Sequence, residues 1–451
     1  MTPGARVQAA IDLLAAVDSA ERPAERAISG WLRRRRFIGA HDRRAISELV
    51  FRVLRHGAAL EWWLRRALEG EPKAGAVDGG AAGGAGPAFS SRRRVIALLA
   101  LSGEADAARM ATLFDGGRYA PAPLEAPEEA LARNLAGRAL DHPDQPVSVR
   151  ANYPAWLDPA LRLRFGDRLE EEMAALNDAA PIDLRVNVLK ASREEARAAL
   201  AADGLEAEPT PLSPLGLRLS RRQPLGGHAC FVDGLVDVQD EGAQIVSLIA
   251  DARPGMRVVD YCAGAGGKTL ALAAAMGNRG EIAAVDASTR LDRAAPRLAR
   301  AGVTIVTTHV IEGDDDPWLG DHADWADRVL VDAPCAGLGA WRRDPAARWR
   351  LGRSDLERLV ALQRRILDNA GRLVRPGGRL VYATCSLLGA ENEDQVAAYL
   401  DSRAGFRPIP VAEVWGGTVG GRCPCPGPYL ELTPARHGTD GFFAAVLERS
   451  P

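Results

Sequence analysis

The sequence predicts an α/β protein: a Rossmann-like, doubly wound parallel sheet preceded by an all-α region and a small α+β connecting region. Three observations carry this expectation. Apolar residues recur at helical spacing through about the first 140 residues, strand-like and helical runs alternate from Leu235 onward, and three of the later strands run straight into turns that are rich in Gly or hold a Cys. Alternation of that kind means βαβ units, which assemble into a parallel sheet covered by helices on both faces.

The first region, 1–140, is helical because RVQAAIDLLAAV, RRAISELVFRVLRH and RRRVIALLALSG place apolar residues three and four apart. GEPKAGAVDGGAAGGAGPAFSS (70–91) interrupts it and is too rich in Gly and Ala to pack, so a flexible loop is expected there. Between Trp31 and Arg66 ten Arg face three acidic residues, a local excess of +7, interleaved with Trp31, Phe37, Trp62 and Trp63. That pattern suits a nucleic-acid face, and equally a solvated helix surface whose aromatics belong to the core.

The second region, 147–234, mixes a strand LRVNVL (184–189), a helix SREEARAALAADG, and short strands around Leu217 and Phe231. The third, 235–451, alternates RVVDYC, a helix from Lys268, EIAAVD, a helix from Ser288, VTIVTT, RVLVDAP, the long helix SDLERLVALQRRILDNAGRLV, RLVYATCS and a helix from Glu391.

Composition bounds the function classes. A length of 451 residues suggests about two to four domains, and 47% apolar with 26% charged residues is ordinary for a folded chain. No run of about 18 apolar residues predicts a membrane span, and MTPGARVQAAIDLL lacks the layout of a secretory leader, so a cytoplasmic location with no membrane partner is the expectation, and the chain is expected to be a monomer. The six cysteines are too few and too unevenly spaced for a disulfide framework and are read as thiols. Cys423 and Cys425 lack a second Cys/His pair at zinc spacing, so no metal is expected. A net charge of −2 gives no global field for nucleic acid, and any basic surface must be local. The 57 basic residues are 54 Arg and three Lys, at 73, 190 and 268, which makes each Lys informative in a chain biased toward Arg.

VVDYCAGAGGKT (258–269) is a buried strand entering a glycine turn that opens a helix, a geometry in which backbone amides approach a ligand. A P-loop would need Gly where Cys262 stands, and a dinucleotide fingerprint would need Gly at Thr269. A cofactor without a pyrophosphate remains. Asp286 closes the next strand, where a carboxylate can accept both hydroxyls of a ribose, so a nucleoside cofactor fits and S-adenosylmethionine is the common one. A glycine turn with an acid also occurs in other sheets of this class.

VDAPCAG (331–337) and YATCS (382–386) each set a Cys just beyond the C-terminal end of a strand, the edge where such sheets bind ligands. If the fourth and fifth strands lie side by side next to the first, Cys335 and Cys385 meet in space beside the cofactor turn. A lone Cys at a strand end is usually packing; two in tight turns beside one site are not.

At these residues the sequence resembles the Nop/Sun family of RNA cytosine-C5 methyltransferases, and within it the RsmB branch that acts on small-subunit ribosomal RNA. The likeness is carried by RVNVLK (185–190), GLVDVQDEGAQ (234–244), DYCAGAGGKT, VDAPCAG, WRRDPAARW (341–349), YATCS and HGTDGFF (437–443). HDRRAISELVFRVLRHG (41–57) is similar to the NusB-like RNA-binding domain of that branch. The resemblance implies a class I methyltransferase sheet, an RRM-like connecting domain, RNA as partner and S-adenosylmethionine as cofactor. It implies Cys385 as nucleophile and Cys335 as the residue that assists product release, with Asp332 and Lys268 in the catalytic set. It places Cys262, Ala263, Gly264, Ala265, Gly266, Gly267, Lys268, Asp286 and Asp332 at the cofactor. The turn reads CAGAGGK where the family commonly has CAAPGGK, which removes a stiffening proline. An acid that contacts the adenine in the family falls within IEGDDDP (311–317), where Glu312, Asp314, Asp315 and Asp316 all qualify and Gly313 takes the expected spacing.

The chemistry explains the residue types. Carbon 5 of cytosine is too electron-poor to attack a sulfonium methyl, but thiolate addition at carbon 6 turns the ring into an enamine whose carbon 5 is nucleophilic. An acid at ring nitrogen 3 eases addition, a role open to Asp332 if a closed pocket raises its pKa. A base must then remove the carbon-5 proton, a step that a second Cys serves or gates. An RNA-binding factor with an idle fold would need a damaged site, yet both Cys and both Asp are present. A DNA enzyme would attack with the PC cysteine and carry no TCS, and a tRNA substrate stays open.

Overall fold

The computed structural model describes residues 1–20, 23–69 and 87–451. Most of the glycine-rich stretch expected as a loop at 70–91, with Lys73, lies outside the described residues. The chain divides into two compact units, Met1–Ala179 with Trp341–Asp355, and Ala180–Ala340 with Leu356–Pro451.

The first unit is helical. Helices Pro3–Asp18, Ala24–Arg33, Ala40–Arg55, Gly57–Glu69 and Ser91–Leu101 bury Leu13, Leu14, Ile46, Leu60, Leu64 and Ile96 in one core. Side chains stop the chain where these helices begin: the Thr2 hydroxyl accepts from the Ala5 amide and Ser90 from that of Arg93, each satisfying a donor the helix cannot. Trp31, Trp62 and Trp63 are 5%, 4% and 2% exposed, so three of the four aromatics interleaved with the arginines are core residues. The Trp63 indole donates to the Leu140 carbonyl at 2.9 Å, as a buried indole requires. Phe37 alone faces solvent, at 81%.

Trp341–Asp355 belongs to this unit although it lies far along the chain, and its sequence explains why. Ala346 joins the core. The buried Arg348 guanidinium donates to the Asn152 carbonyl and Asn177 Oδ1, both at 2.5 Å, and to the Leu176 carbonyl at 3.3 Å, and it lies 4.9 Å over the Trp341 ring. Asp344 accepts from the Ala24 amide at 3.2 Å. A planar donor fork of this kind satisfies several buried carbonyls at once in a fixed geometry.

The second unit carries two sheets. In the smaller, strands β1 (Asp183–Val186), β2 (Ala207–Pro209), β3 (Gly216–Leu219) and β4 (Val236–Val238) pair antiparallel in the order β2-β3-β1-β4. Helix Arg193–Ala202 starts at a capping box between Ser192 and Glu195 and packs Ala196 and Leu200 with Leu184, Val186 and Leu217. The strand expected over 184–189 ends early, because the Asn187 side chain turns to the carbonyls of Gly234 and Ala301 at 3.0 and 2.9 Å. The strand expected around Phe231 is a short helix, Ala229–Val232: the Asp203 carboxylate accepts the Cys230 amide at 2.9 Å, and Phe231 packs under the Arg300 guanidinium at 4.1 Å.

The larger sheet contains β5 (Arg257–Tyr261), β6 (Glu281–Asp286), β7 (Val306–Val310), β8 (Ala326–Asp332), β9 (Val374–Thr384), β10 (Phe406–Ile409), β11 (Leu430–Leu432) and β12 (Phe442–Arg449). The order is β10-β12-β9-β8-β5-β6-β7, with β11 on β12. Strands β7, β6, β5, β8 and β9 are parallel, as the βαβ pattern predicts. Strand β12 runs antiparallel to β9, an addition the alternation does not announce. Phe442 to Leu447 are all buried, so FFAAVL shows none of the inside-outside alternation by which a strand is read.

Candidate active site

The neighbours in this sheet decide what meets at its edge. Tyr261 of β5 is level with Val331 of β8, and Asp332 of β8 with Ala383 of β9, so the turns after all three strands emerge together. Chain reversal from β5 into helix Gly267–Ala275 needs left-handed backbone at Cys262, Gly264 and Gly266 (φ 66°, 58° and 77°). Gly266 is required twice, since a Cβ there would also stand 3.0 Å from that of Ala294. The Gly264 amide donates to Asp286 Oδ2 at 2.8 Å, and Arg297 holds the Ala265 carbonyl at 2.6 Å.

The buried Asp286 carboxylate also accepts the amide and hydroxyl of Ser288, at 2.8 and 2.6 Å through Oδ1. Oδ2 keeps a lone pair, and the Ser288 hydroxyl can rotate away, so the carboxylate has room for a second hydroxyl pair. A Cβ on Gly264 would meet nothing closer than 4.0 Å, which leaves that side of the turn open. The amides of Gly267 and Lys268 open the helix and have no partner within it. These are the donors and acceptor that a nucleoside with a zwitterionic tail would use.

Lys268 turns back from the helix to Asp332, Nζ to Oδ2 at 2.6 Å. Burial alone would pull its ammonium down, but the charge and hydrogen bond of Asp332, then the charges of Asp260 and Cys385, outweigh burial and raise it. It therefore stays charged beside the Cys385 sulfur. Asp332 does not stand in the closed pocket that the role of an acid would need: its side chain is 35% exposed and ion-paired. Beneath the turn, Asp260 accepts the Thr269 hydroxyl at 2.5 Å, while burial pushes its carboxyl up to about 7.

Cys335 and Cys385 are both half-buried, and their sulfurs are 3.4 Å apart. A hydrogen bond with Cys385, burial, and the negative charges of Cys385 and Glu391 together hold the Cys335 thiol well above its ordinary value. The two turns are clamped to each other. The Gly339 amide donates to the Cys385 carbonyl at 2.9 Å, and the Gly441 amide to the Gly339 carbonyl at 2.9 Å, an approach so close that a Cβ on Gly339 would lie 2.1 Å from the Gly441 oxygen.

The residue that sequence reasoning missed is Glu391, taken only as the start of a helix. It is fully buried and accepts the Ala336 amide from the PC turn at 2.8 Å, the Gln363 amide at 2.9 Å, and the Ser386 hydroxyl from the TCS turn. Gln363 donates again to the Pro334 carbonyl at 2.9 Å. A carboxylate five residues beyond a Ser in an otherwise apolar run was the available signal.

Of the four acids in 312–316, Asp316 caps helix Pro317–Asp321, accepting the amides of Trp318 and Glu312 at 2.9 Å each. Asp314 accepts from Asn369 at 2.9 Å and faces Arg365 at 3.2 Å, while Glu312 and Asp315 are exposed. The buried Cys425 sulfur accepts the Glu431 amide at 3.3 Å. Among the described residues no group of three or more His, Cys, Asp or Glu is arranged to hold a metal, and no helix is long and apolar enough to cross a membrane.

Residues 247–448 match the family described as 16S rRNA methyltransferase RsmB/F, and residues 153–226 match the ferredoxin-like domain of the RsmF/B-like methyltransferases. Ribosomal RNA small subunit methyltransferase B of Xanthomonas campestris pv. campestris is 32% identical over 417 residues, 90% of this chain and 89% of the relative. The protein of the same name from Xylella fastidiosa (strain 9a5c) is 34% identical over 419 residues, 90% and 91%. Among solved structures, that of PH0851 has a TM-score of 0.79 at 26% identity and covers 100% of this chain and 99% of its own. A methyltransferase homolog from Pyrococcus horikoshii has a TM-score of 0.57 at 27% identity, covering 67% and 97%.

Proposed function

Because the chain belongs to the RsmB/F family of 16S rRNA methyltransferases, we propose that it methylates carbon 5 of a cytosine in small-subunit ribosomal RNA through a covalent bond from Cys385 to carbon 6. The large sheet is that of a class I methyltransferase, and the methyl donor is S-adenosylmethionine, which supplies an electrophilic methyl group. The reading of the chemistry rests on the 3.4 Å pair of sulfurs beside the Lys268–Asp332 ion pair.

Cys385 attacks as the thiolate, and Cys335, held above its ordinary value, keeps its proton and donates it as a hydrogen bond to that sulfur. The thiolate adds to carbon 6 of the base. Asp332 accepts from the exocyclic amine, and Lys268 balances the negative charge that addition puts on the ring. Carbon 5 then takes the methyl group. Addition also changes Cys335: once Cys385 is bonded to carbon, both its hydrogen bond and its negative charge are gone, and these are two of the causes that hold Cys335 up. Cys335 can then lose its own proton to solvent, the one proton the reaction releases overall, and take the carbon-5 proton in its place. The carbon–sulfur bond breaks, Cys385 leaves as thiolate, and the proton on Cys335 restores the starting pair. The base thus becomes available only after addition, ahead of the elimination that needs it.

The residues of the glycine turn, 262–268, with Asp286, hold the cofactor in this reading. Asp286→Ala is expected to weaken S-adenosylmethionine binding by about 2–3 kcal/mol, the loss of a charge-assisted two-point contact. Isothermal calorimetry with an unchanged Kd would remove Asp286 from the site. We assign the helices of residues 1–140 to RNA affinity and target choice, and 147–234 and 235–451 to a connecting and a methyl-transferring domain.

Bisulfite mapping tests the function directly. Naked small-subunit ribosomal RNA incubated with the chain and S-adenosylmethionine should gain one cytosine that resists conversion. Resistance appearing in tRNA instead would move the substrate to tRNA, and resistance in neither would leave an RNA-binding factor with an idle fold.

A further inference from the structure

The turn at 34–39, between helices Ala24–Arg33 and Ala40–Arg55, presents one aromatic ring to solvent and is built to do so. The Ile38 amide closes it by donating to the Arg35 carbonyl at 3.1 Å, and the Ile38 side chain plugs into the core. Arg43 reaches across to the Ile38 carbonyl at 2.7 Å and the Arg35 carbonyl at 3.4 Å. The Arg35 guanidinium lies 3.6 Å over the ring of the buried Trp31. With both shoulders fixed, Arg36 and Phe37 are left projecting. An exposed ring on a turn this well anchored forgoes the burial that every tryptophan of the same unit's core obtains.

The charges around it are equally unpartnered. Arg33, Arg34, Arg36 and Arg44 are exposed and make no ion pair among the described residues. By contrast Arg6, Arg52, Arg92 and Arg94 of the same unit each hold a carboxylate. The acid nearest in sequence, Asp42, is already engaged by Arg6 at 2.6 Å and by the terminal ammonium at 3.0 Å. Four free guanidinium groups flanking one rigidly presented ring match an unpaired nucleotide: the base stacks on the ring and the flanking phosphates meet the arginines. A duplex hides the faces of its bases and offers the ring nothing.

We propose that Phe37 is a stacking platform for an unpaired base of the RNA substrate, with Arg33, Arg34, Arg36 and Arg44 holding the adjacent phosphates. The proposal rests on the reading that the chain acts on RNA, and it names where a single-stranded segment docks outside the cysteine site.

The test is Kd for a naked small-subunit ribosomal RNA fragment, measured without cofactor across a salt titration on the full chain. Phe37→Ala should weaken binding about tenfold, with the slope of log Kd against log salt unchanged, because stacking releases no counterions. Phe37→Trp should restore affinity, and Phe37→Leu, apolar but unable to stack, should not. Changing Arg33, Arg34 and Arg36 together to Ala should instead flatten the slope by about two to three. Phe37→Ala within twofold of the parent, or full rescue by Leu, would overturn the platform. So would a loss seen only with ribosomal particles and not with naked RNA, which would make the ring a protein contact. A parent chain that binds RNA with this pattern but methylates none would overturn the proposed reaction and leave the platform standing.

Discussion

Incubated with its RNA and S-adenosylmethionine, Cys335→Ala should accumulate as a covalent protein–RNA species that survives a denaturing gel, and Cys385→Ala should yield none. The first variant still has the attacking sulfur and the Lys268 charge beside it, so addition and methyl transfer proceed. It lacks the thiol that stands 3.4 Å from the Cys385 sulfur and takes the carbon-5 proton in this reading, so elimination stalls. In the second variant no carbon–sulfur bond can form, and turnover should fall by at least about a thousandfold, as for loss of a nucleophile elsewhere. The opposite pattern would make Cys335 the attacking residue, as in DNA enzymes. Activity kept by both variants, with no shifted band from either, would return the two sulfurs to packing.

Glu391→Gln should lower kcat about a hundredfold while the KM for S-adenosylmethionine stays within about threefold. Its carboxylate receives three donors, two of them from the two cysteine-bearing turns. A Gln amide offers one oxygen and sets an N–H against one of those donors, leaving a buried donor unsatisfied. The turns then relax, and a misplacement of about 1 Å in reacting groups costs on the order of a hundredfold. The contacts proposed for the cofactor, at 262–268 and Asp286, follow β5 and β6 and should not feel it. Glu391→Asp, which keeps the charge on a shorter stem, should recover part of kcat. Steady-state kinetics with both constants shifted together, and melting lowered in step, would reduce Glu391 to a fold residue, and an unchanged kcat would mean that it does not position the two cysteines.

The parts of this molecule legible in the sequence are those where one residue type is compelled by local geometry. Glycine is forced where β5 reverses into a helix, and the acid ending β6, the Cys in the PC turn and the Cys in the TCS turn all sit at strand ends that alternation locates. Whether the two cysteines meet depends on strand order, which alternation alone leaves conditional; the adjacency of β5, β8 and β9 supplies it. The Lys268–Asp332 pair follows from the same adjacency and is invisible in a linear reading. Other features resist because burial erases pattern. Strand β12 is buried on both faces, and three tryptophans among arginines look like a binding surface until the core claims them. Glu391 is hidden for a different reason: a buried acid is recognised by its donors, and those come from residues 336, 363 and 386.

The return of Trp341–Asp355 to the helical unit has a consequence in time. Synthesis is vectorial, and an N-terminal domain ordinarily completes its fold while the rest of the chain is still being made. Here the helical core lacks Ala346, and the carbonyls of Asn152 and Leu176 lack their guanidinium, until about 176 further residues have been added after Ala179. At roughly 5–20 residues per second that interval is on the order of ten to thirty-five seconds. The helical unit is therefore finished only after β5 to β8, half the strands of the larger sheet, have been synthesised, and a nascent chain arrested between Ala179 and Trp341 should be cleaved by protease within its first helices far faster than one released at full length.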